Sequence, residues 1–199
     1  YLRLASEGGF VVCRLDVRGT GSSEGLATDE YPLVELDDLA DVINWLATQP
    51  WSNGRVGMFG YSYSGFNSLQ VACTRPAALH AICAIYATDD RYTDDVHYMG
   101  GALRAIDLVD YCHYMTACNL LPPAPAVFGD NWKSEWQMRL NEIQPWILTW
   151  LEQQHDGPYW RHGSLRPGYE RIQCPTMIVA GWADGYRNNT FRTFKALQC

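Results

Sequence analysis

The sequence predicts an α/β fold: a parallel sheet wound with helices and interrupted by a helical cap. Three observations predict it. Short apolar runs that suit buried strands alternate with segments of helical periodicity, and strands joined through helices run parallel with right-handed crossovers. One junction, Gly60-Tyr61-Ser62-Tyr63-Ser64-Gly65, has the composition of a tight strand-to-helix turn. Over residues 88–170 the pattern turns helical, aromatic and Pro-punctuated, which suits an insertion covering the sheet.

The elements follow in order. Gly9 to Asp16 is an apolar run ending in an acid and reads as a first buried strand. A Gly/Ser loop, Val17 to Gly25, comes next. Leu36, Leu39, Ala40, Ile43, Leu46 and Ala47 fall at the i, i+3, i+4, i+7 spacing of an amphipathic helix. The Asn53-Gly54 turn leads to a second strand, Arg55 to Phe59, and a helix runs from the Gly60–Gly65 turn to about Thr74. Ala81 to Tyr86 and Thr176 to Ala180 read as the third and fourth strands. Within the insertion, Ser134 and Gln137 fit a capping box that opens a helix with Trp136, Leu140 and Ile143 on one face. Pro145 suits the first position of the next helix, where Trp146/Trp150 and Ile147/Leu151 pair at i, i+4. The expected division is a core over 1–87, an all-helical cap over 88–170, and a return to the core over 171–199. The chain opens on Tyr1 rather than Met and reaches Cys199 inside a predicted helix, so both ends read as internal to a longer protein.

Composition excludes several functions. With 15 Lys+Arg against 22 Asp+Glu, the net charge of the 199 residues is −7, a field that repels phosphate and argues against nucleic acid or an anionic membrane as partner. No run approaches the roughly 18 apolar residues of a bilayer helix. The seven Cys include no C-x-x-C pair and mostly sit in apolar runs, which predicts buried thiols in a reducing cytoplasm and no zinc site. Eight Trp and 12 Tyr point to an aromatic-lined cavity.

The turn around Ser62 carries the chemistry. A nucleophile elbow needs a strand before it, a helix after it and small residues two places either side, because the turn lifts the hydroxyl above the sheet edge. Gly60 and Ser64 are those neighbours. The Tyr63 N–H, opening the helix, would be one donor of an oxyanion hole. In triads on α/β-hydrolase folds the order is Ser, acid, His, with the acid after a late strand. Asp184, in Gly181-Trp182-Ala183-Asp184-Gly185-Tyr186, holds that place and would orient the base. All five histidines, His80, His97, His113, His155 and His162, precede it, so none is assigned as base, although His162 is the best placed. The Arg18 to Gly25 loop lacks the Gly-Lys-Ser/Thr of a phosphate cradle and reads as a structural turn. The aspartates at 89, 90, 94 and 95 read as a solvated cap edge, with a cation or a substrate amine as the alternative.

Four segments in register, DVRGTGSSEG from Asp16, the turn GYSYSG, YWRHGS from Tyr159 and GWADGY from Gly181, resemble the X-prolyl dipeptidyl-peptidase and cocaine-esterase-like family of α/β-hydrolases. The resemblance implies Ser62 as nucleophile, Asp184 as triad acid and Tyr63 as backbone oxyanion donor, with the family's glycine kept at Gly65. It places a second oxyanion donor before Tyr1, and the histidine and a C-terminal β-sandwich beyond Cys199. Tyr186 and Arg187 stand where members acting on α-amino acid esters carry acids, which disfavours that specialisation. The expected function is a serine hydrolase acting on a small-molecule ester or peptide, without metal or organic cofactor, the segment alone being inactive. The competing reading is a non-catalytic binding module. Oligomeric state is not legible.

Overall fold

Around residue 62, where the sequence alternates strand and helix, the chain builds a parallel sheet. The computed structural model describes residues 1–197. Its elements are α1 (Leu2–Ser6), α2 (Leu33–Ala47), β1 (Val56–Tyr61), α3 (Tyr63–Thr74), β2 (Leu79–Ile85), β3 (Tyr98–Met99), β4 (Ala102–Leu103), α4 (Ala105–Asn119), α5 (Pro125–Phe128), α6 (Trp132–Glu142), α7 (Ile147–Glu152), α8 (Pro158–Arg161), β5 (Thr176–Val179) and α9 (Arg187–Ala196). The sheet order is β1-β2-β5 with both pairings parallel, so Phe59 lies beside Cys83 and Cys83 beside Met177.

β2 is central and buries Leu79, Ile82 and Ala84. Against these pack Leu36, Leu39 and Ile43, the predicted stripe of α2, together with Phe66, Leu69 and Val71 of α3. Helix α3 is buried on every side from Gly65 to Ala72. A fully enclosed helix shows no amphipathic stripe, and its polar residues must find partners. Ser68 Oγ donates to the Ser64 carbonyl at 2.8 Å, and Gln70 Nε2 to the Gly163 carbonyl at 2.9 Å, while Gln70 Oε1 and Asn67 Oδ1 are buried with no hydrogen-bond partner among the described residues.

The cap forms a second core of Trp146, Trp150 and Trp160 with Tyr98, Leu108 and Cys112. Trp150 and Trp160 have no exposed surface, so these two rings are packed interior rather than cavity wall. The cap is not wholly helical, because β3 and β4 pair as a short antiparallel ribbon.

Three expectations need correction. Residues 9–17 form neither helix nor strand and join no ladder among the described residues; Phe10 and Val11 are each 63% exposed and Cys13 is at the surface. A strand is a pairing, and the outer edge of β1, with Tyr61 63% exposed, has no described strand beside it. Helix α6 starts ahead of Ser134: Asn131 is its N-cap, and Ser134 Oγ donates back to the Asn131 carbonyl at 2.8 Å. Leu140 is exposed, and the side chain α6 buries is Arg139, which reaches the carbonyls of Gly21 at 3.0 Å and of Ser23. The third concerns Pro145, which precedes α7 rather than starting it; Trp146 takes the N-cap position, and the Pro145 carbonyl accepts from the Leu148 N–H.

The Gly/Ser loop is the structural turn expected. It turns carbonyls toward a guanidinium, where an anion cradle needs N–H groups, and its Gly25 N–H is taken by Glu135 Oε1 at 2.7 Å. Among the described cysteines, Cys112 is the buried thiol foreseen, while Cys73, Cys83 and Cys118 are half-buried. Cys199 lies outside the described residues, and α9 ends at Ala196. No described helix is long and apolar enough to cross a membrane.

Because Trp150 joins α7 to the rest of the cap core with its whole side chain, Trp150→Ala should cost about 3–5 kcal/mol, read as a lowered urea midpoint. A midpoint within error of wild type would show that the cap is not packed as described.

Candidate active site

β1 ends at Tyr61 and α3 begins at Tyr63, leaving Ser62 alone to turn the chain. It does so at φ 58°, ψ −118°, a conformation costing an L-residue on the order of 1–3 kcal/mol. Neighbouring bonds hold it there: the Ser62 N–H donates to the Ile85 carbonyl of β2 at 2.9 Å, and its carbonyl accepts from the Phe66 N–H at 2.9 Å. Helix and strand approach so closely that a Cβ on Gly60 would lie 2.3 Å from the Ser64 carbonyl carbon, and one on Gly65 2.8 Å from the Ile85 oxygen. Ser64 is tolerated because its hydroxyl bonds back to Tyr61, accepting from the N–H and donating to the carbonyl. The Tyr63 N–H is the first of helix α3, in the turn whose N–H groups a helical ladder leaves without acceptors.

Asp184 follows β5 at the same carboxyl edge of the sheet, where open α/β sheets bind their ligands. It is 6% exposed. Its Oδ1 accepts from the Tyr186 N–H at 2.6 Å, and its Oδ2 is buried with no hydrogen-bond partner among the described residues. The rings of Tyr61, Tyr86 and Tyr186 form a column, centroids 5.2 and 4.9 Å apart, from the end of β1 to the Asp184 loop. Burial pushes the Tyr86 hydroxyl pKa up, and the nearby Asp184 adds to the shift. Ser62, Tyr86 and Tyr186 line one small cavity. The larger cavity lies beside Tyr63, with Trp146 and Met115 of the cap in its wall, and does not reach Ser62.

The aspartate run is not a solvated edge. Asp89, Asp94 and Asp95 are buried. Asp89 binds Arg192 and accepts from the Thr193 hydroxyl at 3.0 Å. Asp95 and Glu30 flank His97, whose Nδ1 and Nε2 lie 3.4 and 3.0 Å from them. Burial alone pushes the His97 pKa down, but the two carboxylates outweigh it and hold the imidazole at about 9. Burial likewise pushes Glu30 up, yet His97, Arg91 and the Tyr111 hydroxyl bring it to about 2. The three side chains offer ligand types that suit a metal. Glu30 already receives Arg91 at 3.2 Å and Tyr111 at 2.7 Å, so the geometry describes an imidazolium between two carboxylates rather than a cation cage.

No described histidine hydrogen-bonds to Ser62 or Asp184. His162 holds the Tyr31 carbonyl through Nε2 at 2.7 Å, and His97, charged at neutral pH, is no base there. Nothing in the sequence around them singles out Glu30, which holds His97, or Glu35, which accepts from the Tyr63 hydroxyl at 2.9 Å. The signal for Glu30 was in the acidic run, where Arg91 and His97 interleave with the aspartates.

The family model described as X-Pro dipeptidyl-peptidase (S15 family) matches residues 4–199. The chain belongs to this family. Cocaine esterase of Rhodococcus sp. is 29% identical over 215 residues, which cover 96% of this chain and 36% of the esterase. A CocE/NonD family hydrolase from Staphylococcus aureus superposes with a TM-score of 0.69 at 24% identity, over 91% of this chain and 29% of that one. An α-amino acid ester hydrolase superposes with a TM-score of 0.60 at 22% identity, over 90% and 33%. These likenesses establish the fold as part of an α/β-hydrolase. The S15 chain spans about a third of the length of these relatives.

The His97 pKa lies above its ordinary 6.5. The stability this histidine contributes is therefore complete below pH 6.5 and is lost as pH rises through about 9. The urea midpoint should fall across that window, and His97→Asn should flatten the fall. An equal slope in both proteins would show that His97 does not set this pH dependence.

Proposed function

We propose that this chain carries the nucleophile and the acid of a serine hydrolase that cleaves an ester or amide acyl bond through an acyl-enzyme. The observation that carries the reading is Ser62 held at φ 58° between β1 and α3, a conformation that helix capping alone does not call for. The buried, unpartnered Oδ2 of Asp184 supports it, since a carboxylate oxygen held dry without a donor favours an imidazole N–H as partner.

In the proposed reaction the Ser62 hydroxyl attacks the substrate carbonyl carbon and its proton passes to a histidine base. Asp184 Oδ2 orients that base and stabilises the imidazolium. The Tyr63 N–H receives the developing oxyanion. The imidazolium then protonates the leaving alcohol or amine, and water releases the acyl group by the same steps in reverse order. That base is expected beyond Cys199, where the family resemblance places it. The substrate is a small-molecule ester or an X-Pro peptide, the two chemistries in the names of the relative and the family.

The test uses the full-length protein with a short-chain acyl nitrophenyl ester and an aminoacyl-Pro chromogenic amide. One of the two should be hydrolysed, with kcat falling on the order of 10⁴-fold or more in Ser62→Ala and in Asp184→Asn. Hydrolysis of neither, or rates unchanged by Ser62→Ala, would establish a non-catalytic binding module or a different nucleophile.

A further inference from the structure

Glu35 stands on the first turn of α2, 5% exposed, and faces the start of α3. Its Oε2 accepts from the Tyr63 hydroxyl at 2.9 Å and its Oε1 from Asn67 Nδ2 at 2.7 Å. Tyr63 and Asn67 sit one helical turn apart, so a single carboxylate ties down the opening turn of α3 at the residue next to Ser62. The Tyr63 ring is fixed from a second side. It lies against Tyr31 with centroids 4.3 Å apart, and its oxygen accepts the Tyr31 N–H at 3.3 Å.

We propose that Glu35 is a positioning residue for the oxyanion side of the site, acting through the Tyr63 side chain to fix the aim of the Tyr63 N–H. This rests on the assignment of Ser62 and Tyr63 above. Neither the Tyr63 hydroxyl nor Glu35 touches the reacting atoms. An oxyanion donor acts only where charge develops, so a donor left to swing weakens the transition state more than the bound ester. The signature is a loss in kcat with KM kept.

The titration of Glu35 supplies a second readout. Burial lifts its pKa to about 7, against the pull of Asn67 and Tyr63, and Glu30 and Asp38 push the same way. Asp38 is itself paired with Arg18, and Asp29 lies in the wall of the same cavity. Ionised, Glu35 accepts from both donors at once; protonated, one of its oxygens becomes a donor and opposes Asn67 or Tyr63. The clamp therefore tightens as pH rises through about 7.

The experiment measures kcat and KM for the ester or amide that the full-length protein hydrolyses, over pH 5–9, in wild type, Tyr63→Phe, Glu35→Ala and Glu35→Gln, with Ser62→Ala alongside. Tyr63→Phe removes one hydroxyl and keeps the ring and the N–H. The expected result is a kcat about 10- to 100-fold lower in Tyr63→Phe and Glu35→Ala at unchanged KM, with no further loss when the two are combined. Glu35→Gln, whose amide oxygen can still accept from Tyr63, should recover activity over Glu35→Ala and show a shallower acid limb than wild type. Wild-type kcat in both Tyr63→Phe and Glu35→Ala, even with lowered melting temperatures, would overturn the proposal while leaving Ser62 in place. Activity that survives Ser62→Ala would overturn both readings.

Discussion

The structure depends on one close approach. Helix α3 leaves β1 after a single residue and passes so near both β1 and β2 that neither Gly60 nor Gly65 has room for a methyl group. That contact forces Ser62 to φ 58° and delivers the first N–H of the helix to the sheet edge. It also packs α3 against both the sheet and α2, so that eight consecutive residues from Gly65 to Ala72 are buried. Packing from every side over-determines the strained turn, which is how such a conformation persists.

Two apolar cores lie either side of a polar seam made from residues 29–35. Asp29 takes the Trp150 indole N–H and the Tyr159 hydroxyl, Glu30 takes Arg91 and Tyr111 beside His97, and Glu35 takes Tyr63 and Asn67. Buried ions are costly unless their partners are complete. Here the carboxylates of Glu30 and Asp95 face the cations of Arg91 and His97. The seam ties the cap to the core beside the cavity that Ser62 lines, and the Asp184 loop joins it through Tyr186, whose hydroxyl lies 3.4 Å from Asp95 Oδ1.

What the sequence made legible was local and periodic. The stripe of α2, the strands β1, β2 and β5, and the turn at Ser62 could all be read because each depends on residues within one or two helical turns. The run at 9–16 misled because apolar composition speaks to burial and not to a partner, and its residues lie exposed. Ser134 misled because a capping box is defined by where a helix starts, and Asn131 starts this one. The aspartates misled for a deeper reason. An acid reads as solvated unless its counter-charge is known, and those of Asp89 and Asp95 come from Arg192, about a hundred residues on, and from His97 against Glu30. Glu35 was invisible in the same way, since in sequence it is one polar residue on the turn of a helix.

The proposed serine hydrolase stands on Ser62 as its nucleophile. The most direct measurement is to treat the full-length protein with a fluorophosphonate and map the adduct by peptide mass spectrometry. One adduct per chain is expected, on Ser62, absent from Ser62→Ala and slowed in Asp184→Asn. An unlabelled protein, or a label that persists after Ser62→Ala, would contradict it.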